Sequence, residues 1–169
     1  MKSDHHFGKL LSSLILCLIP GYAALYVYTE SIPGWFSLLN KPGFLPSYTI
    51  IFYGIIVLFC LFGLALYAIW MKGVGNSDVS AAFWWFLFSI SLLFLWFFIF
   101  FYLQVVFFAL ALIILIDAAV LCTCVLILRS SITPVFFLLP CFIALLIVSY
   151  INAQILFMNP DLHTWGVML

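Results

Sequence analysis

This sequence carries very little charge. Lysine and arginine together number five and aspartate and glutamate five, so that 6% of the 169 residues are charged and the formal net charge is zero. An aqueous domain has about a quarter of its residues charged, so water is not the main solvent of this chain. With so few bases there is no basic face for nucleic acid and no polybasic segment for anionic lipid, and no nucleic-acid partner is expected. The chain also lacks a glycine-rich phosphate loop, a Ser-His-Asp or Cys-His set, and a carboxylate pair for acid–base work. His5 and His6 are adjacent, so they cannot share one helix face, and with His163 they read as solvated ends and not as metal or haem ligands. The five cysteines (Cys17, Cys60, Cys122, Cys124, Cys141) all fall inside apolar runs, where a thiol packs as a small hydrophobe. A disulfide framework or zinc site would place them in loops at recognisable spacing. No metal is predicted, and no cofactor is required.

What the sequence does contain is hydrocarbon. Hydrophobic residues make up 69% of it and aromatic residues 20%, with a mean hydropathy of +1.39. Crossing a bilayer as a helix takes about 20 apolar residues, and the runs here predict five spans: 8–28, 48–71, 80–102, 105–128 and 133–158. The expected fold class is an all-α membrane protein, a five-transmembrane-helix bundle in one membrane domain over 1–169, with the lipid bilayer as its first partner. Turn residues fall between the spans: Pro33-Gly34 and Pro42-Gly43, then Gly73, Gly75 and Asn76, then Ser130 and Ser131. From Ser80 to Leu128 the only charge is Asp117. That stretch is about twice one span, so a turn is placed near Tyr102 and Gln104. The charged start and the apolar run from Leu10 to Tyr28 resemble a signal peptide, but the run is long, contains Pro20-Gly21 and lacks a small-residue cleavage pair, so it is read as uncleaved.

Five spans put Lys2, Lys9, Lys72 and Arg129 on one side and Lys41 on the other. The excess of bases predicts a cytoplasmic N-terminus, an extracytoplasmic C-terminus, and an extracytoplasmic loop over 29–47. A bacterial membrane is expected before an organellar one.

That loop reads Trp35-Phe36-Ser37-Leu38-Leu39-Asn40-Lys41-Pro42-Gly43-Phe44-Leu45-Pro46. Its prolines stiffen it, and Trp35 and Phe44 suit headgroup level. From the residues alone it is either an interfacial loop or a lid closing a cavity between helices. The spacing resembles the TspO family, the tryptophan-rich sensory or translocator proteins also called peripheral benzodiazepine receptors. Their loop pattern, Trp-Tyr-x-x-Leu-x-Lys-Pro-x-Trp-x-Pro-Pro, is kept here at Trp35, Leu39, Lys41, Pro42 and Pro46, with Phe36 and Phe44 as aromatic replacements and Ser47 in place of the second proline. The match continues through Leu58, Phe59, Gly63, Tyr67 and Trp70, then Trp96, Phe100 and Phe101, then Pro140, Ile151, Asn152 and Asn159.

The resemblance implies a five-helix bundle, often dimeric, that holds a hydrophobic small molecule (a porphyrin, a haem-type tetrapyrrole or a sterol-like ligand) beneath the loop. It points to Trp96, Phe100, Phe52, Asn152, Ile151, Trp35, Pro42 and Pro46 as ligand-binding residues. Packing is the alternative for any one aromatic in a chain with twenty phenylalanines and six tryptophans. Several positions depart from the family pattern. Leu93 and Ser89 replace an Asn and a Gln, and Ile55 and Ala144 replace tryptophans invoked for oxidative porphyrin breakdown. After Tyr150 no basic residue follows, so the sterol-recognition pattern of animal members is missing.

Three carboxylate or amide side chains lie inside the apolar runs. Asn152 and Gln154 are read as interhelical hydrogen-bonding groups, with a pocket or loop-anchoring role as the alternative for Asn152. Asp117, near the middle of the fourth span, is either a proton or ligand site or a packing donor beside Ala118, Ala119 and Cys122. The functional expectation is a sensor, carrier or regulator that binds a hydrophobic ligand. A porphyrin-degrading enzyme and a structural subunit without a small ligand are the alternatives.

Overall fold

In the computed structural model, residues 2–73 and 75–160 are described, with side chains from residue 6 onward. His163, the side chain of His5 and residues 161–169 lie outside them. The helices are α1 (Lys2–Ser31), α2 (Trp35–Leu38), α3 (Tyr48–Met71), α4 (Ser77–Phe97), α5 (Val106–Leu128) and α6 (Thr133–Met158), and α4 continues directly into a π-helical turn, Phe98–Tyr102. No strand occurs among the described residues. Five helices are long and apolar enough to cross a membrane, the third being α4 with its π turn, Ser77–Tyr102.

Local chemistry fixes where several of these begin and end. Ser47 caps α3 by accepting from the Ile50 N–H (3.4 Å), and Asn76 caps α4 by accepting from the Asp78 N–H (2.8 Å). Pro134 opens α6, where a missing N–H removes no helical bond. The π turn ends with the Leu103 N–H on the Phe98 carbonyl (3.0 Å) and the Val105 N–H on the Ile99 carbonyl (3.1 Å). Between them Gln104 takes the left-handed conformation, φ 62°, and so reverses the chain into α5. Two elements differ from the sequence expectation. The first helix, expected over 8–28, begins at Lys2 and runs on to Ser31, and a single helical turn, α2, forms inside the loop.

The long helices form a ring: α1 packs on α3, α3 on α6, α6 on α5, α5 on α4, and α4 returns to α1. Lipid gives helices no hydrophobic reason to associate, so close contact must hold them. Glycine supplies it between α1 and α3. A Cβ on Gly21 would lie 2.7 Å from Phe59 Cγ, and one on Gly63 would lie 2.8 Å from Leu14 Cδ2 and 3.2 Å from Leu14 Cα. Basic groups mark one end of the ring: Lys9 Nζ lies 5.8 Å from the Trp70 ring centre, and Arg129 lies 4.0 Å from Asp78 across the ends of α5 and α4. The 29–47 loop and Lys41 cover the other end.

Candidate ligand site

Beneath the loop lies a cavity of about 270 Å³ bounded by α1, α3, α6, α4 with its π turn, and the loop itself. That is just under the usual range for small-molecule sites, about 300–1,000 Å³. Its inner wall is aromatic. Trp96 and Phe100 stack at 5.3 Å, Phe97 and Phe101 at 5.9 Å, and all four line the space. Phe100 follows Trp96 and Phe101 follows Phe97, each about one helical turn on, so the two stacked pairs share one broad face. Phe100 and Phe101 lie in the π turn, a distortion that recurs at functional sites. Tyr28 from α1 closes this side, edge-on to Phe101 at 5.4 Å, its hydroxyl donating to the Tyr48 carbonyl (3.1 Å).

Besides the bonded Tyr28 hydroxyl, two side chains in the wall carry buried polar atoms without a partner among the described residues. Asn152 is 1% exposed and Trp96 5%, and Asn152 Oδ1, Asn152 Nδ2 and Trp96 Nε1 are buried without a hydrogen-bond partner among the described residues. Buried polar groups are nearly always paired, so three such atoms around one cavity are a feature to be explained.

The structure brings Trp96, Phe100, Ile151, Asn152 and Pro46 together around the cavity. It does not bring Phe52, Trp35 or Pro42 to it. Phe52 lies two positions from both Ile50 and Gly54, which do line it, so helical phase sends its ring away, against Tyr53 at 5.5 Å. Trp35 stands outside the wall, its ring 5.7 Å from Phe100, and Pro42 is buried within the loop. Residues that the sequence reading marked only as departures turn out to be wall: Leu93, Ile55 and Ala144 all line the cavity. Their signal was the family register itself. Asp117 lies off the cavity. Its Oδ2 accepts from Ser149 Oγ at 2.6 Å, tying α5 to α6, and its buried Oδ1 has no partner.

The roof is held firmly. Lys41 Nζ donates to the carbonyls of Phe36 (2.5 Å), Leu39 (3.1 Å) and Ser37 (3.2 Å), and sits 5.0 Å from the Phe36 ring centre. A cation thereby caps the C-terminal end of α2, where free carbonyls concentrate. Asn159, and not Asn152, is the side chain that pins the loop. Its Oδ1 accepts from the Asn40 N–H (3.0 Å), and its Nδ2 donates to the carbonyls of Asn40 (2.9 Å) and Ile155 (2.7 Å). Phe44 stacks on Tyr150 at 5.6 Å. Replacing Lys41 by methionine removes three charge-assisted bonds at once and is expected to unfold the loop turn without unfolding the bundle. Protease cleavage within 35–46 should then rise sharply while helical circular dichroism stays at the native value.

Fold and site together define a class: a helical membrane protein with a lidded apolar cavity inside its bundle. The model of the TspO/MBR family matches residues 13–158, most of the chain and all of the cavity wall. The chain belongs to that family. No curated protein matches it significantly.

Proposed function

We propose that this protein binds one hydrophobic small molecule in the cavity and acts as a sensor, carrier or regulator in its membrane. The observation that supports this reading best is the Asn152 amide and Trp96 indole, buried without partners among the described residues in an otherwise largely apolar wall. Leaving a buried polar group unpaired costs about 1–3 kcal/mol. A bound molecule with one hydrogen-bonding group removes that cost, whereas a purely structural subunit has no reason to keep it.

The charge of the ligand follows from what surrounds it. Among the described residues no Lys or Arg lines the cavity, and Lys41, the base of the roof, spends its donors on three loop carbonyls. A carboxylate inside this wall would be an unpaired charge in a low dielectric. We therefore favour an uncharged ligand over the tetrapyrrole that the family resemblance first suggests. The tetrapyrrole stays as the second reading because the flat Trp96–Phe100 stack suits a flat ring. Topologically, Lys9, Lys72 and Arg129 at one end and Lys41 at the other support a cytoplasmic N-terminus.

The test is a titration in nanodiscs with pyrenemethanol, following energy transfer from tryptophan, with protoporphyrin run in parallel. Pyrenemethanol is expected to show a saturable component above linear lipid partition. Trp96→Ala should weaken it about tenfold or more, because ring contact and buried area together exceed about 1.4 kcal/mol. Saturation by protoporphyrin alone would favour the second reading, and no saturation by either would remove ligand binding.

A further inference from the structure

We infer that the cavity is filled sideways, from the hydrocarbon of the bilayer, through a crevice between α3 and α6, and that the loop above is a fixed roof and not the door. This rests on the binding reading above and adds the route and the phase from which the ligand comes.

The exposure of the wall is one-sided. Lining residues from α1, α2, α4 and the π turn (Tyr28, Phe36, Leu93, Trp96, Phe100 among them) are all buried. The exposed and half-exposed ones belong to α3, to α6 and to the loop pair Leu45–Pro46. Ile50 is 62% exposed and Ile147 52%, and each lines the cavity from its own helix. Gly54 is the most direct observation. It lines the cavity and is exposed, and a Cβ added there would meet nothing within 4 Å. With no side chain, a residue that is both wall and surface marks a gap in the wall.

The gap has a floor and a top. Below it α3 and α6 approach where Cys141 Sγ lies 3.9 Å from the Leu58 carbonyl. Above it the loop is pinned by the Lys41 and Asn159 bonds and by the Phe44–Tyr150 stack. Opening the roof breaks several hydrogen bonds, whereas entry between Gly54 and Ile147 breaks none. Both residues lie within membrane-spanning helices, so the mouth faces lipid. The ligand it admits is one dissolved in the bilayer, uncharged and compact, its single polar group meeting Asn152 only after entry.

The route is tested in proteoliposomes that already contain pyrenemethanol, by temperature-jump relaxation of tryptophan-to-pyrene energy transfer. A residue at a mouth alters entry and exit alike. Gly54→Leu is expected to slow relaxation about tenfold, the change that about 1.4 kcal/mol of added barrier produces. Ile147→Ala, which widens the mouth, is expected to speed it, and Asn159→Ala, which unpins the roof, to leave it unchanged. Rates indifferent to Gly54 and raised by Asn159→Ala, with saturable binding intact, overturn the route alone. Absence of saturable binding in the native protein defeats the binding reading and the route together.

Discussion

Replacing Asn152 by leucine is expected to make the empty protein harder to unfold and blind to the polar group of its ligand. Asn152 is almost fully buried, and neither end of its amide has a partner among the described residues. Leucine has nearly the same volume, removes both unpaired atoms and adds apolar surface to a wall that also holds Leu93 and Ile155. Each unpaired group costs about 1–3 kcal/mol, and a protein of this size gains about 2–4 °C in melting temperature per kcal/mol. A rise of several degrees is therefore expected for Asn152→Leu without ligand, read by thermal unfolding in detergent. A substitution that stabilises the fold while removing selectivity is the mark of a residue kept for function. A fall in melting temperature would instead make Asn152 a structural hydrogen-bonding group.

The opposite result is expected for Gly21→Leu. The Cβ position at Gly21 is occupied by Phe59, whose Cγ would lie 2.7 Å away and whose own Cβ 2.9 Å away. Phe59 cannot swing clear, because it is fully buried with Phe62 and Phe97 against its ring at 6.5 and 6.3 Å. Overpacking costs about 1–3 kcal/mol for a few extra methylenes. Here the whole α1–α3 interface would be wedged apart, in a solvent that supplies no hydrophobic force to close it again. Gly21→Leu should be recovered at a small fraction of native yield and unfold at lower denaturant. Gly54→Leu, the same change where the Cβ meets no atom, should fold normally. Equal stability of the two variants would mean that α1 and α3 do not approach as closely as Gly21 and Phe59 require.

These two glycines also show where reading the sequence stops. Five spans were legible because hydrocarbon thickness sets a length that the apolar runs either meet or miss. Nothing in the runs says that α3 neighbours both α1 and α6, since spans apolar on every side carry no amphipathic phase from which to assign neighbours. Gly21 and Gly54 look alike in sequence, yet one is wedged against a neighbour and the other faces open space. The wall was partly legible through family register, which names Trp96, Phe100, Ile151, Asn152 and Pro46. Register does not carry helical phase, and so it also named Phe52, Trp35 and Pro42, which the structure leaves outside. The π turn has no local signature, because neither proline nor glycine marks Phe98–Tyr102. Asn152 and Asn159 are separated by two helical turns, and only three-dimensional placement shows that the second of them holds the roof while the first meets the cavity.

The central claim is that an uncharged ligand places its polar group on Asn152 inside the bundle. The most direct test compares the affinities of pyrenemethanol and methylpyrene, which differ by one hydroxyl, for the native protein and for Asn152→Leu in the same nanodiscs. The account predicts that the native protein prefers the alcohol about tenfold, as one buried hydrogen bond of about 1.4 kcal/mol requires. In Asn152→Leu that preference should vanish while methylpyrene binds at least as tightly as before. An equal preference for the alcohol in both proteins would contradict it.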